Sequence, residues 1–134
     1  MLEATHAFAT TYVASRLNSQ VAQRVSLAAY ELIANALAFS TMSEDIGVEI
    51  LESERQIAVR VSNQTIAARI SMLNEHVLKV RANPEQALTD EMRRAVAGGP
   101  RPMLGLARVV HEAGMSLDVS VEGRRVTLTA FCRR

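Results

Sequence analysis

With 134 residues, 49% of them hydrophobic and 22% charged, the chain has an ordinary globular composition and is neither disordered nor fibrous. A formal net charge of +1 provides no electrostatic footprint for nucleic acid or an anionic membrane, and no apolar run is long enough to cross a bilayer. Cys132 stands alone, which excludes an intramolecular disulfide and a cysteine-rich metal site; with no signal-peptide pattern at the start, the expectation is a cytoplasmic protein.

In chain order, residues 2 to 17 and 20 to 40 read as two helices, parted near Leu17-Asn18-Ser19, where Asn or Ser can cap the second. The period then changes to two. Ile46, Val48 and Ile50 alternate with polar neighbours, as do Ile57, Val59 and Val61, and Glu52-Ser53-Glu54-Arg55 between them suits a hairpin turn. Residues 66 to 114 return to helix. Ile66, Ile70, Leu73, Val77 and Val80 fit a 3.6-residue period, Pro84 suits a first helical turn, and Met92 and Val96 continue an apolar stripe. Gly98-Gly99-Pro100-Arg101-Pro102 breaks the helix, and a last one runs from about Met103 to Ala113, with Gly114 as its stop. A second hairpin closes the chain, with Leu117, Val119 and Val121 on one strand, Val126, Leu128 and Ala130 on the other, and Glu122-Gly123-Arg124 at the turn.

These elements predict an α+β fold: a two-layer α/β sandwich, with a mixed sheet of about four strands in two hairpins and helices on one face. No repeat, linker or low-complexity tract divides the chain, so residues 1–134 are expected to form a single domain.

The chemistry concentrates in the second helix, between Ser26 and Ser40. Glu31 and Asn35 stand at i, i+4 and share one helix face, while Val25, Leu32, Ile33, Ala36 and Leu37 fill the others. A carboxylate and an amide on such an apolar helix need partners. Those partners are either a bound water and a metal ion, or solvent and neighbouring backbone. The spacing alone leans to the second, because i, i+4 polar pairs are common on helices. Elsewhere His6, His76 and His111 lack metal-ligand spacing, and His111 beside core positions reads as a structural histidine. Cys132 reads as a small apolar filler, and Arg124-Arg125 as solvated turn charges.

The Glu31-x-x-x-Asn35-Ala36 pattern, ending in Phe39-Ser40, resembles the N-box of the histidine-kinase-like (GHKL) ATPase superfamily. Within it the chain is most similar to the small bacterial anti-sigma-factor serine kinases and SiaB-like kinases. The resemblance implies that Glu31 orients or deprotonates the attacking group and that Asn35 helps hold the Mg²⁺ bridging the ATP phosphates, a role one hard amide oxygen can fill. It puts Asn63 where an adenine-reading Asp is expected and Thr65 where the first glycine of that motif is expected. Ser62-Asn63 looks like the variant sequence of the SiaB-like group. Arg101-Pro102-Met103-Leu104-Gly105-Leu106 stands at the phosphate loop. Its Leu104-Gly105-Leu106 end survives, but Arg101 and Met103 replace two glycines, and Pro102 has no N–H to offer. Arg101 either supplies a charged fork to phosphate or is a solvated lid residue.

By this resemblance, which covers nearly the whole chain from about residue 20, the protein is a bacterial regulator that acts by binding a partner protein, anti-sigma-antagonist-like or sigma-factor-like. Weak or lost Mg·ATP-dependent serine/threonine kinase activity goes with it, using Glu31 as base, Asn35 on metal, and Asn63, Arg101, Leu104 and Gly105 on nucleotide. A homodimer is left open, and no nucleic acid or membrane is expected as partner. The rivals are a nucleotide-free pseudo-ATPase scaffold and a plain α/β domain whose motif is coincidental.

Overall fold

The structure, a computed structural model, describes residues 19–41, 46–98 and 104–134. The expected helix at 2–17 and the residues Arg101, Pro102 and Met103 lie outside these. The elements run α1 (Ser19–Phe39), β1 (Gly47–Glu52), β2 (Gln56–Gln64), α2 (Ala67–Ala82), α3 (Pro84–Val96), α4 (Leu104–His111), β3 (Ser116–Glu122) and β4 (Arg125–Arg133).

The two hairpins join in one sheet of order β1-β2-β4-β3. The seam between them is the β2–β4 ladder, which runs from Gln56 opposite Arg133 to Gln64 opposite Arg125. Every pair is antiparallel, where a mixed sheet was expected. The reason lies in the path of the chain: α2, α3 and α4 carry it from the end of β2 to the far edge. There β3 and its hairpin turn leave β4 running opposite to β2.

Period-two alternation gives the sheet one apolar face. Ile57, Val59 and Val61 of β2, Leu117 of β3, and Val126, Leu128, Ala130 and Cys132 of β4 are all buried. Against them lie Val25, Ala28, Ala29, Leu32 and Ala36 of α1 and Leu106 and Val109 of α4, in one continuous core. Fully burying each larger aliphatic side chain contributes about 1.5 to 3 kcal/mol, so this face holds the two layers together. Cys132 is the small filler expected.

The helical middle follows its stop signals. Pro84 opens α3, and the Asn83 side chain accepts a hydrogen bond from the Gln86 N–H as its N-cap. Gly114, at φ +64°, turns the chain beyond α4 in a backbone region that disfavours a Cβ. Arg24 of α1 donates to the carbonyls of Ala113 and Gly114 and fastens that turn to α1.

Further expectations fail in the helical middle. Met92 and Val96 are exposed, Val96 to 91%, and do not extend the core stripe. α3 instead buries Ala87 and Glu91, because it meets its neighbours through a small cluster of Val80, Ala87 and Ala107. His111 is also exposed and fills no core position. Among the described residues no helix is long and apolar enough to cross a membrane.

Candidate functional site

Glu31 and Asn35 are both buried on α1, at 9% and 2% exposure. What covers Glu31 is the first half of α4. A Cβ built on Gly105 would stand 3.1 Å from both Cβ and Cδ of Glu31, and nearer still to Oε2. Only a residue without a side chain lets α4 sit this close to the carboxylate. Arg108 lies three residues on, on the same face of α4. Its Nη1 stands 3.2 Å from Glu31 Oε1, while its Nε donates to Glu112 Oε2 at 3.0 Å.

The electrostatics follow from this packing. Burial raises the Glu31 pKa above its ordinary value, Arg108 opposes that rise, and nearby Glu112 adds to it. The Arg108 guanidinium is held more firmly protonated still, first by its hydrogen bond to Glu112. Glu31 is therefore an acid confined between a helix backbone and one shared cation.

Asn63 belongs to the other end of α1. It is buried near the end of β2, and its Nδ2 donates to the Gln64 carbonyl at 3.3 Å. That same carbonyl accepts from the Thr41 N–H, just past the last turn of α1. Glu31 lies eight residues before Phe39, about 12 Å along the helix axis. Thr65, read from sequence as a lost glycine, caps α1: its Oγ1 donates to the Phe39 carbonyl at 2.7 Å. Arg69 Nη1 donates to the same carbonyl at 3.1 Å, with its guanidinium 5.9 Å from the Phe39 ring centroid. A hydroxyl and a cation thus close the C-terminal end of α1, where unpaired carbonyls carry partial negative charge.

Of the residues picked out from sequence, the fold brings Glu31 and Gly105 into contact and sets Asn35 one turn along the same helix. Leu104 opens α4 beside Gly105. Asn63 sits at the far end of α1, and Arg101 lies outside the described residues. Sequence reading missed Arg108 and Glu112. Their i, i+4 spacing was visible, but the link from Arg108 to Glu31 spans 77 positions and left no local signal.

In this arrangement the space between Glu31 and Gly105 is closed to a phosphate. The Glu31 carboxylate faces Arg108, and it fills the space over Gly105 that a phosphate needs bare. Among the described residues no group of three or more His, Cys, Asp or Glu could hold a metal ion.

No family profile matches the chain, and no curated protein matches it in sequence. Among solved structures it is similar to a chain in the crystal structure of the SiaB–SiaC complex from Pseudomonas aeruginosa, at a TM-score of 0.66 and 15% identity. The match covers 99% of this chain and 83% of that one, and at such low identity what it shows is a shared fold.

Proposed function

We propose that this chain is a regulatory protein that acts by binding a partner protein, on a histidine-kinase-like ATPase fold whose Mg·ATP chemistry is weak or lost. The observation that carries the reading is the Glu31–Arg108 pair closed over Gly105. In this reading the helix that would open a phosphate loop lies instead on the acid that would act beside it. Thr65 supports the same view, because its hydroxyl serves α1 where the superfamily keeps a bare glycine.

Partner binding is supported by the likeness to a chain of the SiaB–SiaC complex, one protein of which is crystallised with another. The partner class is an anti-sigma-antagonist-like or SiaC-like regulatory protein. The nucleotide-free scaffold is the limit of this reading, and the same Glu31–Arg108 closure favours it.

Calorimetric titration with Mg·ATP tests the nucleotide half. The expected dissociation constant is in the high micromolar range or weaker, about 5 to 6 kcal/mol of binding free energy or less. Low-micromolar or tighter affinity would overturn it. Size-exclusion chromatography with a SiaC-like protein tests the other half. Co-elution that does not depend on Mg·ATP is expected, and separate elution under all conditions would sink the partner reading.

A further inference from the structure

The two edges of the sheet are not alike. β3 is tied to α2, whose Arg81 reaches Asp118 at 3.4 Å, and its side chains away from the helices are Ser116, Asp118, Ser120 and Glu122. β1 pairs with β2 on one side, and among the described residues no strand meets its other side. Such an edge presents a row of unpaired N–H and C=O groups, which proteins commonly blunt with proline, lysine or a bulge. β1 (Gly47-Val48-Glu49-Ile50-Leu51-Glu52) has no proline or lysine, and its pairing runs unbroken from Gly47 opposite Ser62 to Glu52 opposite Ile57. Its two acids are answered from the same sheet, Glu49 by Arg60 at 3.9 Å and Glu52 by Arg134, just past β4, at 3.3 Å. Its exposed apolar side chains are Val48, at 43%, and Leu51, at 37%. Val48 stands opposite buried Val61 on the helix side, and Leu51 opposite Ala58 on the bare side, so the edge is apolar on both faces.

We propose that β1 pairs with β1 of a second copy of this chain, about a two-fold axis normal to the sheet, and joins two four-stranded sheets into one antiparallel sheet. The sequence of β1 argues for a second copy. A two-fold of this kind keeps every side chain on its own face, so an even-numbered residue meets an even one and an odd meets an odd. Two such registers use five of the six residues of β1. One is centred on Glu49 and sets two carboxylates directly opposite each other, which is destabilising. The other is centred on Ile50. It sets Ile50 opposite its own copy, Glu49 opposite Leu51 of the second copy, and Val48 opposite Glu52. Every acid then faces an aliphatic side chain, and the strand complements itself in that register alone. The helix layer does not cover Val48, so no described helix closes that side of the edge.

A ladder this short is a small interface, which implies a weak dimer. An extended segment of another protein could use the same edge, but nothing in β1 selects one, whereas the Ile50 register selects β1 itself.

The interface shares no residue with the Glu31–Gly105 seam, and its test needs neither nucleotide nor partner protein, so its failure and that of the proposed function are separate results. Sedimentation equilibrium of the full chain should show a monomer–dimer equilibrium with a dissociation constant of about 10 to 100 μM. The exposed position Leu51 reads out the register, because it faces Glu49 of the second copy. Leu51→Glu sets like charges opposite each other and should raise the dissociation constant at least about tenfold. Leu51→Lys sets opposite charges there and should leave the dimer as tight as the parent or tighter. Urea unfolding at low concentration checks that both variants fold as the parent does. A chain that stays monomeric at about 500 μM, about five times the weakest expected constant, overturns the proposal. So does a dimer that ignores Leu51→Glu, or one that both substitutions weaken alike.

Discussion

Glu31 and Glu91 are both buried acids on helices, and the fold treats them differently. Glu31 is enclosed by a helix distant in sequence, which brings a bare backbone at Gly105 and a cation at Arg108. Glu91 is met by Arg94 from its own helix and by His76 from α2, and only on one oxygen. The first is a fastener between α1 and α4: its Oε1 pairs with Arg108 and its carboxylate packs against Gly105. The second keeps an acceptor that the described residues do not satisfy. A carboxylate resembling a catalytic base is thus engaged across two helices, while the other is buried with one oxygen unanswered among the described residues. Burial alone does not tell a site from a strut; what matters is whether every polar atom is answered from within.

The strongest way to break this contrast is Gly105→Ala. The new Cβ would press on Cβ and Cδ of Glu31, so carboxylate rotation alone cannot relieve it, and overpacking should cost about 3 kcal/mol. A glycine kept for phosphate would give the opposite sign, since alanine in a helix gains up to about 1 kcal/mol over glycine. Urea unfolding decides between them. Adding Glu31→Ala should recover part of the loss, because the two sites touch and their effects are not additive.

Next in size is Asn35→Ala. Asn35 is 2% exposed on the same face as Glu31. As a buried structural amide its removal should destabilise by about 2 kcal/mol. If Asn35 instead serves metal and nucleotide, melting would be nearly unchanged and Mg²⁺-dependent nucleotide binding would vanish. Melting temperature and nucleotide titration on one mutant separate the two.

The layers of the fold were legible because their signals are local. Alternation at Ile57, Val59 and Val61 and at Val126, Leu128 and Ala130 names the buried face directly, and Pro84 and Gly114 mark the helix ends where they occur. The site was legible only in part. Glu31, Asn35 and Gly105 could be picked out, but the sequence could not show that Gly105 would lie on Glu31, since that contact depends on how α4 crosses α1. Glu91 was invisible for a related reason. The sequence puts Met92 and Val96 on an apolar stripe, whereas α3 is turned so that Met92 faces solvent and Glu91 the interior. Small residues caused this: Ala87 against Ala107 and Val80 lets α3 pack closely on the face that carries the acid.

A smaller effect, about 1 kcal/mol, is expected of Arg108→Ala, because Arg108 is 39% exposed and its pair with Glu31 is partly screened by solvent. Its dependence on pH is more telling than its size. The folded Glu31 pKa lies above the ordinary 4.5, so the folded state binds that proton more tightly than the unfolded chain does. The stability this confers is full below 4.5 and is lost as pH rises through the folded value. Without Arg108, which holds the folded value down, the loss grows and extends to higher pH. The mutational penalty should therefore be small in acid and increase toward neutrality in urea titrations across that range. A penalty that stays flat with pH would mean that Arg108 matters for packing or for Glu112, and not for the charge on Glu31.

The smallest expected change is Glu91→Gln, and it bears most directly on the asymmetry between the two acids. Glutamine keeps the shape and one oxygen acceptor for Arg94, and it replaces an unanswered oxygen with either an amide N–H or a neutral carbonyl. The lost ion pair contributes little, because Arg94 is 55% exposed. The gain is relief from holding a charged oxygen in a dry place without a donor. These terms oppose each other, so stability should stay within about 0.5 kcal/mol of the parent chain. A loss above about 1.5 kcal/mol would show that the fold itself satisfies both Glu91 oxygens. Glu91 would then be a strut like Glu31, answered on every polar atom from within.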